Sequence, residues 1–284
     1  MSLPFSLRES RDRGKIGEVA RTESMSTALI TGASFGIGEA LAKALAERGT
    51  NLVLVARSRD KLEQLAQQLR DRVRVEVIVR DLTEPNAVEN VFEQVQQKGI
   101  EIDLLINNAG FGDYGEFTQN SRTKQLGILH LNVLALVDLT YHFLPLMQQR
   151  ERGHILNISS ITAFQPMPYL AVYAATKAFI LHFSEALWAE NQDTGVNILA
   201  VCPGPTKTKF FEVAGFDPFE NSKDAEKESV TPEYVARETL KAMDKGHCSV
   251  VIGEMGNHAI ANISRFLPRE AVVKIIEKQF RPKK

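Results

Sequence analysis

A short strand that runs into a glycine turn and then into a helix constrains this chain more than any other feature. Thr27 to Thr31 is a β-favouring run, Thr31-Gly32-Ala33-Ser34-Phe35-Gly36-Ile37-Gly38 follows, and a helical pattern holds from Glu39 to Arg48. Glycines let a backbone turn sharply and approach a pyrophosphate, which then faces the free N–H groups and positive dipole end of the helix. Gly32, Ser34, Phe35, Gly36, Ile37 and Gly38 are therefore candidate phosphate contacts, because the flanking strand and helix give such a turn its meaning. The plainer alternative is a tight turn without a ligand. A P-loop is excluded, since no Gly-Lys-Ser/Thr follows the glycines.

The same alternation continues. Asn51 to Val55 is nearly all apolar, as a parallel strand covered on both faces requires. Asp60 to Leu69 is amphipathic, with Leu62, Leu65, Ala66 and Leu69 on one face. Val73–Val79, Ile102–Ile106, His154–Ser159, Val196–Val201 and Ser249–Ile252 read as further strands. Between and after them lie helical patterns over Pro85–Lys98, Ser121–Gln149, the segment after Val172, Pro232–Lys245, Asn257–Phe266 and Glu270–Phe280. This predicts an α/β fold: one doubly wound parallel sheet of about seven strands with helices on both faces and ligand at the strands' carboxyl ends.

A length of 284 residues accommodates one catalytic domain over residues 25–284 without requiring a second. Residues 1–24 are rich in Arg, Glu, Ser and Gly and have no apolar segment, so they read as a disordered or artefactual extension rather than a secretory signal. Over about 207–230 the pattern dissolves into Phe210, Phe211, Phe216 and Phe219 and then a polar stretch, which predicts a mobile substrate flap.

A net charge of -1 leaves no basic footprint for nucleic acid. Cys202 and Cys248 make no disulfide framework, and six scattered histidines give no metal spacing. A reducing, cytoplasmic setting is expected. No uninterrupted run of about 18 apolar residues is present, so no transmembrane segment is expected. The basic end of the last helix allows a lesser reading, weak contact with an anionic membrane.

Several candidates fall at the predicted strand ends. Arg57, in Ala56-Arg57-Ser58-Arg59, stands where a fold preferring NAD would carry an acid, and it suits a 2′-phosphate; NADP(H) is thus favoured over NAD(H). Alternatively Arg57 and Arg59 are solvated charges opening the next helix. Asp81 and Leu82 follow the third strand, where the acid either meets an adenine amino group or caps a helix. Asn108, Ala109 and Gly110 leave room for a ribose, and Asn107-Asn108 can tie neighbouring strands. Asn132 interrupts an apolar helix and implies either a local bend holding a water or an ordinary satisfied amide. Pro203, Gly204 and Thr206 follow the sixth strand, and Thr206 is placed to reach a carboxamide.

Tyr173 and Lys177 stand four residues apart on one helix face, with Ser160 at the end of the preceding strand. A nearby cation favours a phenolate and brings a pKa of ~10 toward the working range. Alone the pair is a weak signal, because Tyr and Lys at helical spacing mostly sit on surfaces.

Together, Thr31-Gly32-x-x-x-Gly36-x-Gly38, Asn107-Asn108-Ala109-Gly110, Asn132, Ser160, Tyr173-x-x-x-Lys177 and Pro203-Gly204 resemble the short-chain dehydrogenase/reductase family from about Ser26 to Ile252. The resemblance implies a Rossmann-like NAD(P)-dependent oxidoreductase. In it Tyr173 acts as acid/base, Ser160 polarises the carbonyl, and Lys177 binds the nicotinamide ribose and lowers the Tyr173 pKa. Asn132 would hold a water linking Lys177 to solvent. Arg57 looks like the family's NADP determinant, whereas Phe35 departs from the basic residue many NADP-preferring members carry there. A homodimer or homotetramer is also implied, in agreement with Ala174, Ala175, Phe179, Phe183, Leu187 and Trp188, more apolar surface than one buried stripe needs.

The expected reaction is hydride transfer between nicotinamide C4 and a carbonyl or secondary alcohol carbon. The competing readings are a sensor that binds NADP(H) without chemistry, and an epimerase or dehydratase that uses the nucleotide transiently. Phe111, Tyr114, Phe210, Phe211 and Phe216 are either an apolar pocket for a lipid-like, steroid-like or aromatic carbonyl compound or core residues.

Overall fold

Residues 27–215, 229–263 and 266–282 are described by the structure, a computed structural model. The extension over 1–24, Phe216, Phe219 and most of the expected flap lie outside them. Seven strands run parallel in the order β3-β2-β1-β4-β5-β6-β7: β1 Thr27–Thr31, β2 Asn51–Ala56, β3 Val75–Val79, β4 Leu104–Asn107, β5 Gly153–Ile158, β6 Val196–Pro203 and β7 Ser249–Ile252. The chain starts mid-sheet, moves out to β3 and crosses back to β4. The strand order therefore reverses between β1 and β4, and a crevice opens at their carboxyl ends.

Alternate strand residues serve opposite faces. Ala28, Ile30, Leu52 and Leu54 join a core with helices α1 (Gly36–Glu47), α2 (Arg59–Leu69) and a later helix, Pro232–Asp244. Leu29, Val53, Val55 and Leu105 join the other core with α3 (Ala87–Gln97) and the second half of the long helical segment. This double covering is why the strands read as continuous apolar runs.

The boundaries shift for local reasons. β3 starts at Val75 rather than Val73, because the N–H groups of Arg72 and Val73 close the end of α2 on the Leu69 carbonyl. The first helix starts at Gly36, so Gly36 and Gly38 form its first turn. The segment Arg122–Gln149 comprises α4 (Arg122–Leu129), a π-helical turn (His130–Leu134) and α5 (Ala135–Gln149). By length and composition alone this segment is apolar enough to cross a membrane, although it holds no unbroken apolar run. In this fold its second half packs on the sheet through buried Leu139, Phe143 and Met147. The chain then forms a 3-10 turn (Ile161–Phe164), α6 (Ala171–Glu190), α7 (Phe210–Ala214), α8 (Pro232–Asp244), α9 (Met255–Ile263) and α10 (Arg269–Phe280).

Candidate active site

The glycine turn is built around two left-handed residues, Gly32 at φ 64° and Gly36 at φ 62°, which favour glycine for want of a Cβ. Gly38 is required for a different reason. A Cβ there would lie 2.5 Å from both Asn108 Nδ2 and the Gly32 carbonyl oxygen, so only glycine lets α1 sit this close to the strand ends. Phe35, the residue before α1, has no hydrogen-bonding side chain with which to cap it. The first N–H groups of α1 thus remain available to an anion, and the turn fits a dinucleotide pyrophosphate.

Across the crevice, Thr31 and the β4 end are stitched together. The Thr31 hydroxyl accepts from the Asn108 and Ala109 N–H groups at 3.0 Å each, and Asn108 Nδ2 donates to the carbonyls of Thr31 (2.9 Å) and Gly32 (3.1 Å). Asn107 Nδ2 reaches Asn157 Oδ1 at 2.9 Å on β5. The expected tying of neighbouring strands by these amides is what the structure shows.

Asn132 lies in the π turn, so the sequence signal for a local irregularity is met by a widened helical turn. Its amide accepts from the Phe111 N–H and donates to the Phe111 carbonyl and to Thr176 Oγ1, each at 3.1 Å. A Cβ on Gly110 would lie 3.1 Å from Asn132 Oδ1 and 3.6 Å from Lys177 Nζ. Both groups therefore face one point above Gly110, which only a glycine leaves open.

Ser160, Tyr173 and Lys177 come together at the end of β5. The Ser159 hydroxyl donates to the Lys177 carbonyl at 2.7 Å and docks α6 on the strand, while Ser160 Oγ accepts from the Thr162 N–H at 3.1 Å. Lys177 Nζ donates to the Ile158 carbonyl at 2.8 Å and stands 5.6 Å from the Tyr173 ring centroid. Burial pushes the Tyr173 phenol above its ordinary value, and the Ser160 hydroxyl draws it only part-way back. Burial pulls the Lys177 ammonium down to about 8. Burial, rather than the neighbouring cation, sets the direction of the phenol's shift.

The remaining candidates take varied places. Arg57 is exposed and pairs with Asp81 at 3.6 Å. Burial would raise the Asp81 carboxyl, but bonds from Thr83 and the Arg57 guanidinium hold it below its usual range. Asp81 accepts from the Thr83 N–H (2.9 Å) and hydroxyl (2.7 Å), so it closes its own turn instead of capping α3. The Leu82 side chain is buried in the core with Val88 and Val91, which leaves only its backbone to face a ligand. Ser34 and Ile37 flank the glycine turn, Ser34 buried. At the β6 end, Pro203 closes the strand, the Gly204 N–H donates to the Ile252 carbonyl at 2.8 Å, and the Thr206 hydroxyl donates to the Gly204 carbonyl at 2.9 Å.

The expected aromatic pocket divides. Phe210 leans on Tyr173 with centroids 5.0 Å apart, and Phe211 meets Phe210 edge-on at 5.6 Å. Phe111 instead points to α4, where a Cβ on Gly127 would touch its ring at 3.3 Å, and the Tyr114 hydroxyl donates to the Phe280 carbonyl at 2.6 Å. A cavity of about 600 Å³ opens on the glycine-turn side, lined by Phe35, Gly36, Thr208 and Phe211 among others.

Three residues escaped the sequence reading. Gly112 is necessary because a Cβ there would press on Phe210 (3.0 Å) and Tyr173 (3.3 Å). Asn257 buries an amide with no hydrogen-bond partner among the described residues, against Gly204. Tyr169 takes a left-handed φ of 65° beside the site. Only Gly112 carried a visible hint, its glycine spacing from Gly110. Among the described residues no cluster of His, Cys, Asp or Glu is arranged to hold a metal.

The short chain dehydrogenase family model matches residues 26–215. The chain belongs to that family. It is 34% identical over 194 residues to the very-long-chain 3-oxoacyl-CoA reductase of Mus musculus, covering 66% of this chain and 61% of that protein. It is 37% identical over 186 residues to the 17-beta-hydroxysteroid dehydrogenase type 3 of Rattus norvegicus, covering 64% of this chain and 60% of that protein. The matched part thus spans about three fifths of these relatives' length. A solved short-chain dehydrogenase from Sphingobium yanoikuyae, in complex with NADPH, is 31% identical, with a TM-score of 0.75 and coverage of 92% of this chain and 98% of that one. Its seven-stranded parallel sheet flanked by helices is the Rossmann-like fold of this family.

Proposed function

We propose that the protein reduces ketones bearing a long or bulky apolar group, with NADPH as the preferred reductant and 3-oxoacyl thioesters as the substrate class. The observation that carries the reading is the convergence of Ser160, Tyr173 and Lys177 beside an aromatic wall, Phe210 on Tyr173. Bound NADPH supplies the hydride. Tyr173 gives its proton to the developing alkoxide, and Ser160 donates to the same oxygen. The buried phenol stays protonated at neutral pH, so the donor is loaded for reduction. Lys177 would hold the nicotinamide ribose, Asn132 and Gly110 keep space for a water beside Lys177, and Arg57 would meet the 2′-phosphate. Gly32, Gly36 and Gly38 let the pyrophosphate approach α1.

The substrate class draws support from the names of the relatives, a 3-oxoacyl-CoA reductase and a hydroxysteroid dehydrogenase, together with Phe210 and Phe211 beside the reacting groups. A nucleotide sensor would leave the convergent Ser160, Tyr173 and Lys177 without a use. The test is NADPH consumption with short- and long-chain 3-oxoacyl-CoA and with steroid ketones. Tyr173→Phe is expected to lower turnover by on the order of 10³-fold while NADPH binding persists. Undiminished turnover in that variant refutes the assignment. Faster turnover of short-chain than of long-chain thioesters refutes the substrate class.

A further inference from the structure

We propose that Lys61 is the second cation of a 2′-phosphate subsite, seated there by the ring of Phe35. The proposal rests on the NADP(H) reading above and adds a specificity-determining residue to that same site.

Parallel pairing of Thr31 with Val55, and the bond from the Ala33 N–H to the Val55 carbonyl at 3.4 Å, place the glycine turn beside the end of β2. Phe35 and Arg57 therefore border the same mouth. A phosphate monoester carries between one and two negative charges near neutral pH. Arg57 meets that demand only in part, because Asp81, fixed by Thr83, lies 3.6 Å from its guanidinium and offsets some of its charge. A carboxylate at that distance also repels an incoming phosphate.

Lys61 makes up the deficit. It stands in the first turn of α2, which opens directly after β2 with Ser58 as the preceding residue. Its Nζ lies 5.7 Å over the Phe35 ring centroid. An ammonium on a flexible four-carbon stem would otherwise spread through solvent, and the ring face holds it at the glycine turn. Phe35 cannot bond a phosphate, but it positions a group that can. The Ser58 side chain makes no capping bond to the start of α2, so the N–H groups there and the helix dipole favour an anion at the same place. The alternative is a solvated lysine whose contact with Phe35 has no consequence for binding.

The test is equilibrium titration of the wild type and of Lys61→Ala, Lys61→Arg and Phe35→Ala with NADPH and NADH. Competition by 2′,5′-ADP and 5′-AMP gives a readout without nicotinamide or turnover. Lys61→Ala is expected to lower the ratio of NADPH to NADH affinity about tenfold, the size of one lost charge-assisted bond, and to lower the 2′,5′-ADP to 5′-AMP ratio equally. Lys61→Arg should restore most of both ratios, and Phe35→Ala should reduce them by a smaller factor. A wild type that prefers NADPH, with both ratios intact in Lys61→Ala, overturns the role of Lys61 alone. A wild type without preference for NADPH overturns the cofactor reading, and the subsite with it.

Discussion

Lys177 reaches the Ile158 carbonyl from inside the core, with 5% of its surface exposed. Its folded-state pKa of about 8 lies below the ordinary 10.5, so folding disfavours the protonated form. The cost is therefore full below pH 8, shrinks between pH 8 and 10.5 and is absent above, and at neutral pH it is on the order of 3 kcal/mol. Lys177→Met removes it but leaves the Ile158 carbonyl without its donor, a loss of about 1 kcal/mol. The nucleotide-free variant should thus be more stable than wild type by about 2 kcal/mol at pH 7, while having lost turnover. Denaturant melts at pH 7 and above 10.5 check this, and the advantage should vanish at the higher pH. A variant less stable than wild type at pH 7 would show that the ammonium is fully compensated in the fold. The identities of Tyr173, Lys177 and Ser160 were legible from spacing and resemblance. The direction of the phenol's shift was not, because desolvation depends on what the helix is buried against.

At the scale of elements, motifs that need a special backbone or an amide were readable. Gly32, Gly36 and Gly38 announced the turn, and Asn132 announced an irregularity that became the π turn. What stayed hidden depends on distant contacts. The last helix among the described residues, α10, closes over the loops that border the site. The Tyr114 hydroxyl donates to Phe280, the Tyr169 hydroxyl donates to Glu277 at 2.7 Å, and Val272 and Ile276 cover Met167, Leu170 and Ala174, the residue next to Tyr173. The Gly115 N–H donates to the Tyr169 carbonyl at 2.9 Å, joining the two loops. The left-handed φ of Tyr169 costs about 1 kcal/mol or more, and it persists because these bonds hold it. Nothing in Pro168-Tyr169-Leu170 signals this. Tyr114→Phe combined with Tyr169→Phe cuts both side-chain ties without creating a cavity. KM for the long-chain ketone should rise several-fold and the helix should become sensitive to limited proteolysis, while NADPH affinity holds. Unchanged KM and proteolysis would assign the tyrosines to packing alone.

For the whole molecule, the alternation of strands and helices made the sheet legible, but the outward faces of the helices were misjudged in part. On α6, Ala174, Leu187 and Trp188 serve the interior cores. Phe179 stays exposed, stacked on Phe183 at 5.7 Å, and on the long segment before it Leu134 and Tyr141 are 58% and 77% exposed. Both helices lie on the same side of the sheet, so their apolar residues form candidate contact surface on one side of the protein. We propose that a second copy covers it. A twofold contact counts every residue twice, and covering a large apolar side chain contributes about 1.5–3 kcal/mol, so a few such residues suffice for a stable dimer. Tyr141→Glu with Phe179→Glu would place four carboxylates in such a contact, each poorly solvated and near its symmetry mate. Both positions are exposed in the single chain, so the variant should still fold. Light scattering during gel filtration should show a dimer or tetramer for the wild type and a monomer for the double variant. The wild type's Tm should also rise with protein concentration and the variant's should not. A wild type that is monomeric at every concentration removes the oligomer, and an assembly that survives the double substitution moves the contact to another face.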